Sequence, residues 1–286
     1  MYAETKETAV TKDKSPTPAT AETGGLPPLT VRTISAGSVS SRVFSLAGPS
    51  DTPGPVFVLL HGIGASHRYY RRLQAVLARH GDTHAIDLPG FGATTTPDQR
   101  MSVAGYGGVI AGVLEAIGTG PVVVIGHSMG TQFATELAVQ RPDLVSNVVL
   151  LGPVVDPARR TVLQQAMALG LDSLRESPRG NAIVFSDYIR SGLRWYLTEL
   201  RVMMSYPLEA RLGHVTRPVL VVRGSKDPIA PRQWCQQLAD IPGQGQFLEI
   251  AGQPHMVQHG APDRTAAAIL AAATIQDSYG PLVPVQ

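Results

Sequence analysis

The strongest constraint on this chain is a set of short apolar runs that lack the alternation of a half-exposed strand. Pro55-Val-Phe-Val-Leu-Leu60 is the clearest. Successive side chains of a strand point to opposite faces of the sheet, so a strand wet on one side alternates apolar and polar residues. A run that is apolar throughout is covered on both faces, as in a parallel sheet packed between helices. Val122–Ile125, Val145–Leu151 and Pro218–Val222 read the same way, and Thr83–Asp87 and Gln246–Ile250 are further strands.

Helical stretches separate these strands. One lies around Tyr69–Arg79, with Leu73, Val76 and Leu77 on one face, and another around Val103–Ile117. A third follows Gly126-His-Ser-Met-Gly130 and runs to about Gln140, where Arg141-Pro142-Asp143 stops it. Two more are expected near Gln233–Leu238 and from Pro262 to Thr274. Val31–Ser35 and Arg42–Leu46, around a Gly-Ser turn, form a hairpin ahead of the first buried strand. Strand–helix units with short loops imply an α/β fold with a mostly parallel sheet and right-handed crossovers.

The alternation breaks between about 153 and 214, where helical patterns carry Leu, Met, Phe, Tyr and Trp. That stretch reads as a helical cap inserted after the sixth strand. The expected organisation is a flexible arm over 1–28, an α/β core over 29–153, the cap over 154–214, the rest of the core over 215–275 and a tail over 276–286. The arm is rich in Thr, Ala, Pro, Lys and Glu and has no apolar signal-peptide core. A net charge of +2 gives no reason to expect nucleic acid or an anionic membrane as partner. A single cysteine, Cys235, excludes an internal disulfide framework and a cysteine-built zinc site. A cytoplasmic location fits; homo-oligomerisation is left open.

Ligand sites in open α/β sheets lie at the carboxyl ends of the strands, and these ends carry the chemistry. His61-Gly62-Ile63-Gly64 follows the first buried strand, where glycines let backbone N–H groups face a ligand; a tight turn containing His is the plainer reading. Asp87-Leu-Pro-Gly90-Phe91-Gly92 follows the next, and Asp87 is read as a loop tie to backbone N–H groups. With 29 glycines, a chance Gly-x-Ser-x-Gly is about a one-in-five event, so GHSMG means little in isolation. Downstream, however, Gly224-Ser-Lys-Asp227-Pro-Ile-Ala-Pro231 and Ala251-Gly-Gln-Pro-His255 complete the order Ser, Asp, His, each at a strand end. In such a set His255 takes the proton of Ser128, and Asp227 orients the imidazole. Gly126 and Gly130 make room for a strained turn.

On these residues the chain resembles the α/β-hydrolase superfamily over about 30–275. HGIG is similar to its oxyanion loop, GHSMG to its nucleophile elbow, and GSKDPIAP to its acid loop. His255 and Pro262 keep the family's seven-residue spacing, which His259 does not, although Pro254 stands where Gly is common. The resemblance implies the triad Ser128, Asp227 and His255, with oxyanion donors at the N–H groups of Ile63 and Met129. Asp156 is an alternative acid, since some members place theirs after the sixth strand. His127 is expected to line the pocket or pack, and Trp195, Met203 and Tyr206 to line it from the cap. A serine nucleophile implies an acyl-enzyme and no cofactor or metal. The expected substrate is a small to medium, largely apolar ester or lactone, in the manner of a carboxylesterase. Diketone-type C–C hydrolysis, cofactor-free perhydrolysis and a non-catalytic ligand-binding scaffold are the alternatives.

Overall fold

A computed structural model of the chain describes residues 27–51, 54–159 and 161–274. The arm expected over 1–28 falls almost wholly outside the described residues, and the tail over 276–286 entirely so.

The strands are β1 (Thr30–Ala36), β2 (Val39–Leu46), β3 (Phe57–Leu60), β4 (Thr83–Asp87), β5 (Val122–His127), β6 (Val145–Leu151), β7 (Val219–Gly224) and β8 (Gly245–Ile250). They form one sheet in the order β1-β2-β4-β3-β5-β6-β7-β8. β1 and β2 pair antiparallel through a two-residue turn with Gly37 at φ 62°. β2 lies antiparallel on β4, and every pair from β4 to β8 is parallel. The eight-stranded, mostly parallel sheet flanked by helices is the architecture expected from the apolar runs.

The helices are α1 (Arg71–Leu77), α2 (Val103–Ile117), α3 (Gly130–Gln140), α4 (Val162–Ser173), α5 (Pro178–Ser191), α6 (Leu193–Ser205), α7 (Leu208–Leu212), α8 (Arg232–Asp240), α9 (Val257–Gly260) and α10 (Pro262–Thr274). The stretch expected at Tyr69–Arg79 divides into a 3-10 turn, His67–Tyr70, and the short α1.

Two apolar cores explain why the strands do not alternate. Val58, Leu60, Val122 and Val124 join one core with α2, α3 and α8. Phe57, Leu59, Val123 and Ile125 join the other with α1, α9 and α10. Both faces are dry, so apolar residues are favoured at every position. α4–α7 lie between β6 and β7, where the strand pattern lapses. Among the described residues no helix is long and apolar enough to cross a membrane.

Candidate active site

Ser128 sits where β5 gives way to α3. Its φ is 55°, and it is the one described residue other than glycine in the left-handed region. That conformation costs a β-carbon residue about 1–3 kcal/mol and persists only where the surroundings enforce it. The enforcement is visible. Ser128 N–H donates to Leu151 O at 3.0 Å, and its carbonyl accepts from Thr131 Oγ1 at 2.6 Å. The flanking glycines permit the contact: a β-carbon on Gly126 would lie 2.1 Å from Gly130 O, and one on Gly130 would lie 2.1 Å from Leu60 O.

His255 follows β8 and Asp227 follows β7, and the structure brings them together. His255 Nδ1 donates to Asp227 Oδ2 at 2.8 Å, with both side chains buried. The other carboxylate oxygen of Asp227 accepts the N–H groups of Ile229 and Ala230 at 2.8 and 3.0 Å, which fixes its rotamer. Gly152, at the end of β6, lets the pair sit against the backbone: a β-carbon there would lie 2.7 Å from His255 Cε1 and 3.2 Å from Asp227 Oδ2. The Nε2 of His255 is buried and has no hydrogen-bond partner among the described residues. Ser128 and His255 line one cavity of about 790 Å³. Asp156 is elsewhere engaged, accepting the N–H of Ala158 at 2.9 Å.

The HGIG loop packs on the serine: a β-carbon on Gly62 would lie 3.0 Å from Ser128 Cβ. The N–H of Gly62 is occupied by Tyr69 Oη at 2.8 Å, and the next residue, Ile63, lines the cavity. Met129 has helical angles (φ −56°, ψ −29°) at the start of α3, so its N–H belongs to the first turn, where donors lack intrahelical partners. His61 is a structural residue: buried and held below the ordinary histidine pKa by desolvation, it accepts Leu88 N–H on Nε2 and bonds Gly62 O through Nδ1. Asp87 is a tie, but to a different loop from its own. It accepts the N–H of His67 at 2.6 Å, joining β4 to the 3-10 turn.

His127 lines the cavity and is not a base toward Ser128. Its ring nitrogens meet Tyr69 Oη at 3.0 Å and the carbonyl of His255 at 3.2 Å. Because Tyr69 Oη already accepts from Gly62, a neutral His127 that accepts from tyrosine on Nδ1 and donates from Nε2 satisfies the whole chain. Burial and the neighbouring His255 hold the His127 pKa well below the ordinary value, in keeping with that neutral form.

Of the cap residues expected at the pocket, Met203 lines the cavity, whereas Trp195 and Tyr206 do not. Trp195 packs against Gly90, whose missing β-carbon would lie 2.3 Å from the indole nitrogen. Tyr206 Oη donates to Glu136 Oε2 at 2.8 Å in a cluster with Arg211 that fastens α6 and α7 to α3. Helical periodicity identifies both as inward-facing but not what they face. Tyr188 and Tyr196 take the wall instead, over Gly64.

Two further residues were not legible in the sequence. Asp172, in α4, accepts the N–H of His255 at 3.0 Å, and Glu176, just beyond it, accepts that of Met256 at 2.6 Å. Both are buried and line the cavity. Burial, reinforced by Asp172, pushes the Glu176 carboxyl up to about 7. Burial by itself would depress His255; the charge of Asp227, the hydrogen bond to it, and the charges of Asp172 and Glu176 outweigh it, so the imidazole lies above the ordinary 6.5. Glu176→Gln keeps an acceptor for Met256 N–H and removes one charge that favours the imidazolium. The acid limb of the kcat/KM–pH profile on a neutral ester should therefore move to lower pH. A merely structural contribution would lower the profile without moving it.

A family model described as the alpha/beta hydrolase family matches residues 57–268, and the chain belongs to that family. A hydrolytic role follows. The (E)-2-((N-methylformamido)methylene)succinate hydrolase of Acinetobacter baylyi is 27% identical over 237 residues, covering 76% of this chain and 90% of that protein. Lipase LipV of Mycobacterium tuberculosis is 38% identical over 135 residues, covering 44% of this chain and 48% of the lipase. The structure resembles the enol-lactonase of Burkholderia xenovorans at a TM-score of 0.72 and 17% identity, covering 86% of this chain and all of the lactonase, a likeness of fold.

Proposed function

We propose that this hydrolase acts as a serine carboxylesterase or lactonase on a small to medium, largely apolar and uncharged substrate. The observation that carries the reading is the pairing of a left-handed Ser128 with a buried His255 in one cavity. His255 has Nδ1 on Asp227 and Nε2 unpartnered. In this reading Ser128 Oγ attacks the carbonyl carbon while His255 Nε2 takes its proton. Asp227 holds the tautomer that leaves Nε2 free to accept. The N–H groups of Ile63 and Met129 stabilise the oxyanion of the tetrahedral intermediate. His255 then gives the proton to the departing alkoxide, and water repeats the sequence to release the acid.

The lining favours an uncharged substrate. Among the described residues it holds Ile63, Val154, Leu200, Met203 and Ile229 but neither Arg nor Lys, and its acidic side chains are Asp172 and Glu176. A succinate-derived dianion, such as the name of the Acinetobacter relative describes, would meet two acidic side chains and no guanidinium or ammonium group among the described lining residues. α4–α6 act in this reading as a cap that excludes water from the acyl-enzyme.

A panel of p-nitrophenyl esters of graded chain length, lactones, diketones and succinate-derived amides tests the assignment. Turnover of uncharged esters or lactones, with labelling of Ser128 by a phosphonate, is expected. Preference for dianionic amides would overturn the substrate reading, and preference for diketones would move the same triad to C–C bond cleavage.

A further inference from the structure

We propose that the outer face of α4, α5 and α6 is a docking surface for an anionic lipid bilayer, with the cavity opening within it. A helix on a globular protein ordinarily turns its apolar stripe to the core. Here α4–α6 do so in part, with Leu169, Val184, Trp195, Val202 and Met203 packed inward, but they carry a second apolar set outward. α4 exposes Leu163, Met167 and Leu171, and Leu174 just beyond it is 85% exposed. α5 exposes Phe185 and Ile189, and α6 exposes Leu193 and Leu197, all spaced one turn apart. Elsewhere among the described residues the exposed large apolar side chains are Leu29, Val31 and Ile241, each less than half exposed.

The outward set is clearest in α5. Its buried face is Gly180, Asp187 and Ser191, while Phe185 is 66% and Ile189 68% exposed. The buried polar face has a reason: Asp187 accepts from Ser66 Oγ at 2.6 Å and Arg68 at 2.8 Å, which anchors the helix to the 3-10 turn. The fold thus pins α5 through Asp187, with Ile183 and Val184 against the core, and leaves Phe185 and Ile189 to solvent.

Charge separates in the same direction. Between residues 161 and 207 the acidic side chains are Asp172, Glu176, Asp187 and Glu199, and all four are buried. The arginines of that stretch, Arg175, Arg179, Arg190, Arg194 and Arg201, are all exposed. A face presenting apolar side chains and arginines, with no exposed carboxylate, matches an anionic membrane surface: the apolar residues enter the acyl boundary and the guanidinium groups meet the headgroups. Phe185 and Leu197 belong both to this face and to the cavity lining, so an apolar substrate dissolved in the bilayer would reach the cavity without crossing water. The whole-chain charge of +2 conceals this arrangement, because the segment's acidic residues are turned inward.

The test is co-sedimentation of the full chain with vesicles of ether-linked lipids, which an esterase cannot cleave. Phosphatidylcholine alone is compared with an equal mixture of phosphatidylcholine and phosphatidylglycerol. Binding to the anionic vesicles is expected, weakened by 0.5 M salt and by about fivefold for each arginine neutralised in Arg190→Gln and Arg194→Gln. Ile189→Asp and Leu193→Asp, neither of which lines the cavity, should each reduce binding at least tenfold with the thermal unfolding midpoint retained. Ser128→Ala should bind as the parent does, so failure of the serine assignment would not disturb this result. Absence of binding, or binding indifferent to charge and salt, would overturn the proposal. So would a homodimer in light scattering that Ile189→Asp dissociates, which would assign the face to a second copy of the chain.

Discussion

Ser128→Ala is expected to lower kcat on any ester the protein turns over by about four to six orders of magnitude, the range seen when a hydrolase nucleophile is removed. The basis is geometric. Ser128 is held at φ 55° by bonds from its N–H and to its carbonyl, none of which uses its side chain. Alanine keeps the β-carbon, so it carries the same backbone strain and preserves the packing against Gly62. The unfolding midpoint should stay within about 2 °C of the parent, since the change opens no large cavity, leaves no buried polar group unpaired and keeps the backbone strain as it was. Loss of turnover with retention of the unfolding transition is the discriminating pair of measurements. Retained turnover would remove Ser128 from the chemistry.

The second large effect separates the two carboxylates that the sequence leaves in competition. Asp227→Asn should reduce kcat by about 10⁴-fold, because an amide facing Nδ1 favours the wrong imidazole tautomer and leaves no charge to stabilise the imidazolium. Asp156→Asn should stay within about threefold of the parent, since its bond to Ala158 N–H can be kept by the asparagine carbonyl. Steady-state rates of both variants on one substrate decide the matter. The reverse ranking would move the acid from β7 to the end of β6. A loss in both would point to the loops rather than to the charge.

The difference in legibility between these residues has a physical origin. Gly126, Gly130 and Gly62 are readable because close approach of two backbones excludes every side chain, and a glycine in that place leaves its mark in the sequence. Asp227 and His255 are readable because their roles tie them to strand ends in a set order. Asp172 and Glu176 left no such mark. They act on backbone N–H groups, which every residue but proline has, so nothing at His255 or Met256 announces the partner. Trp195 and Tyr206 show the opposite limit. A large aromatic on an inserted helix is expected to be buried, but whether it meets a cavity or a neighbouring helix depends on how that helix is rotated.

The sequence by itself determined the buried, mostly parallel sheet. Residues apolar on both faces of a strand have nowhere to go but between two layers of helices, and the chemistry-bearing loops then fall on one edge of it. Only the tertiary structure decided which acid reaches His255, which aromatics reach the cavity and which way the inserted helices face. Those depend on contacts between segments far apart in the chain. In α5, Asp187 bonds Ser66 and Arg68 across more than a hundred residues, and that anchorage acts together with the packing of Ile183 and Val184 to set its orientation.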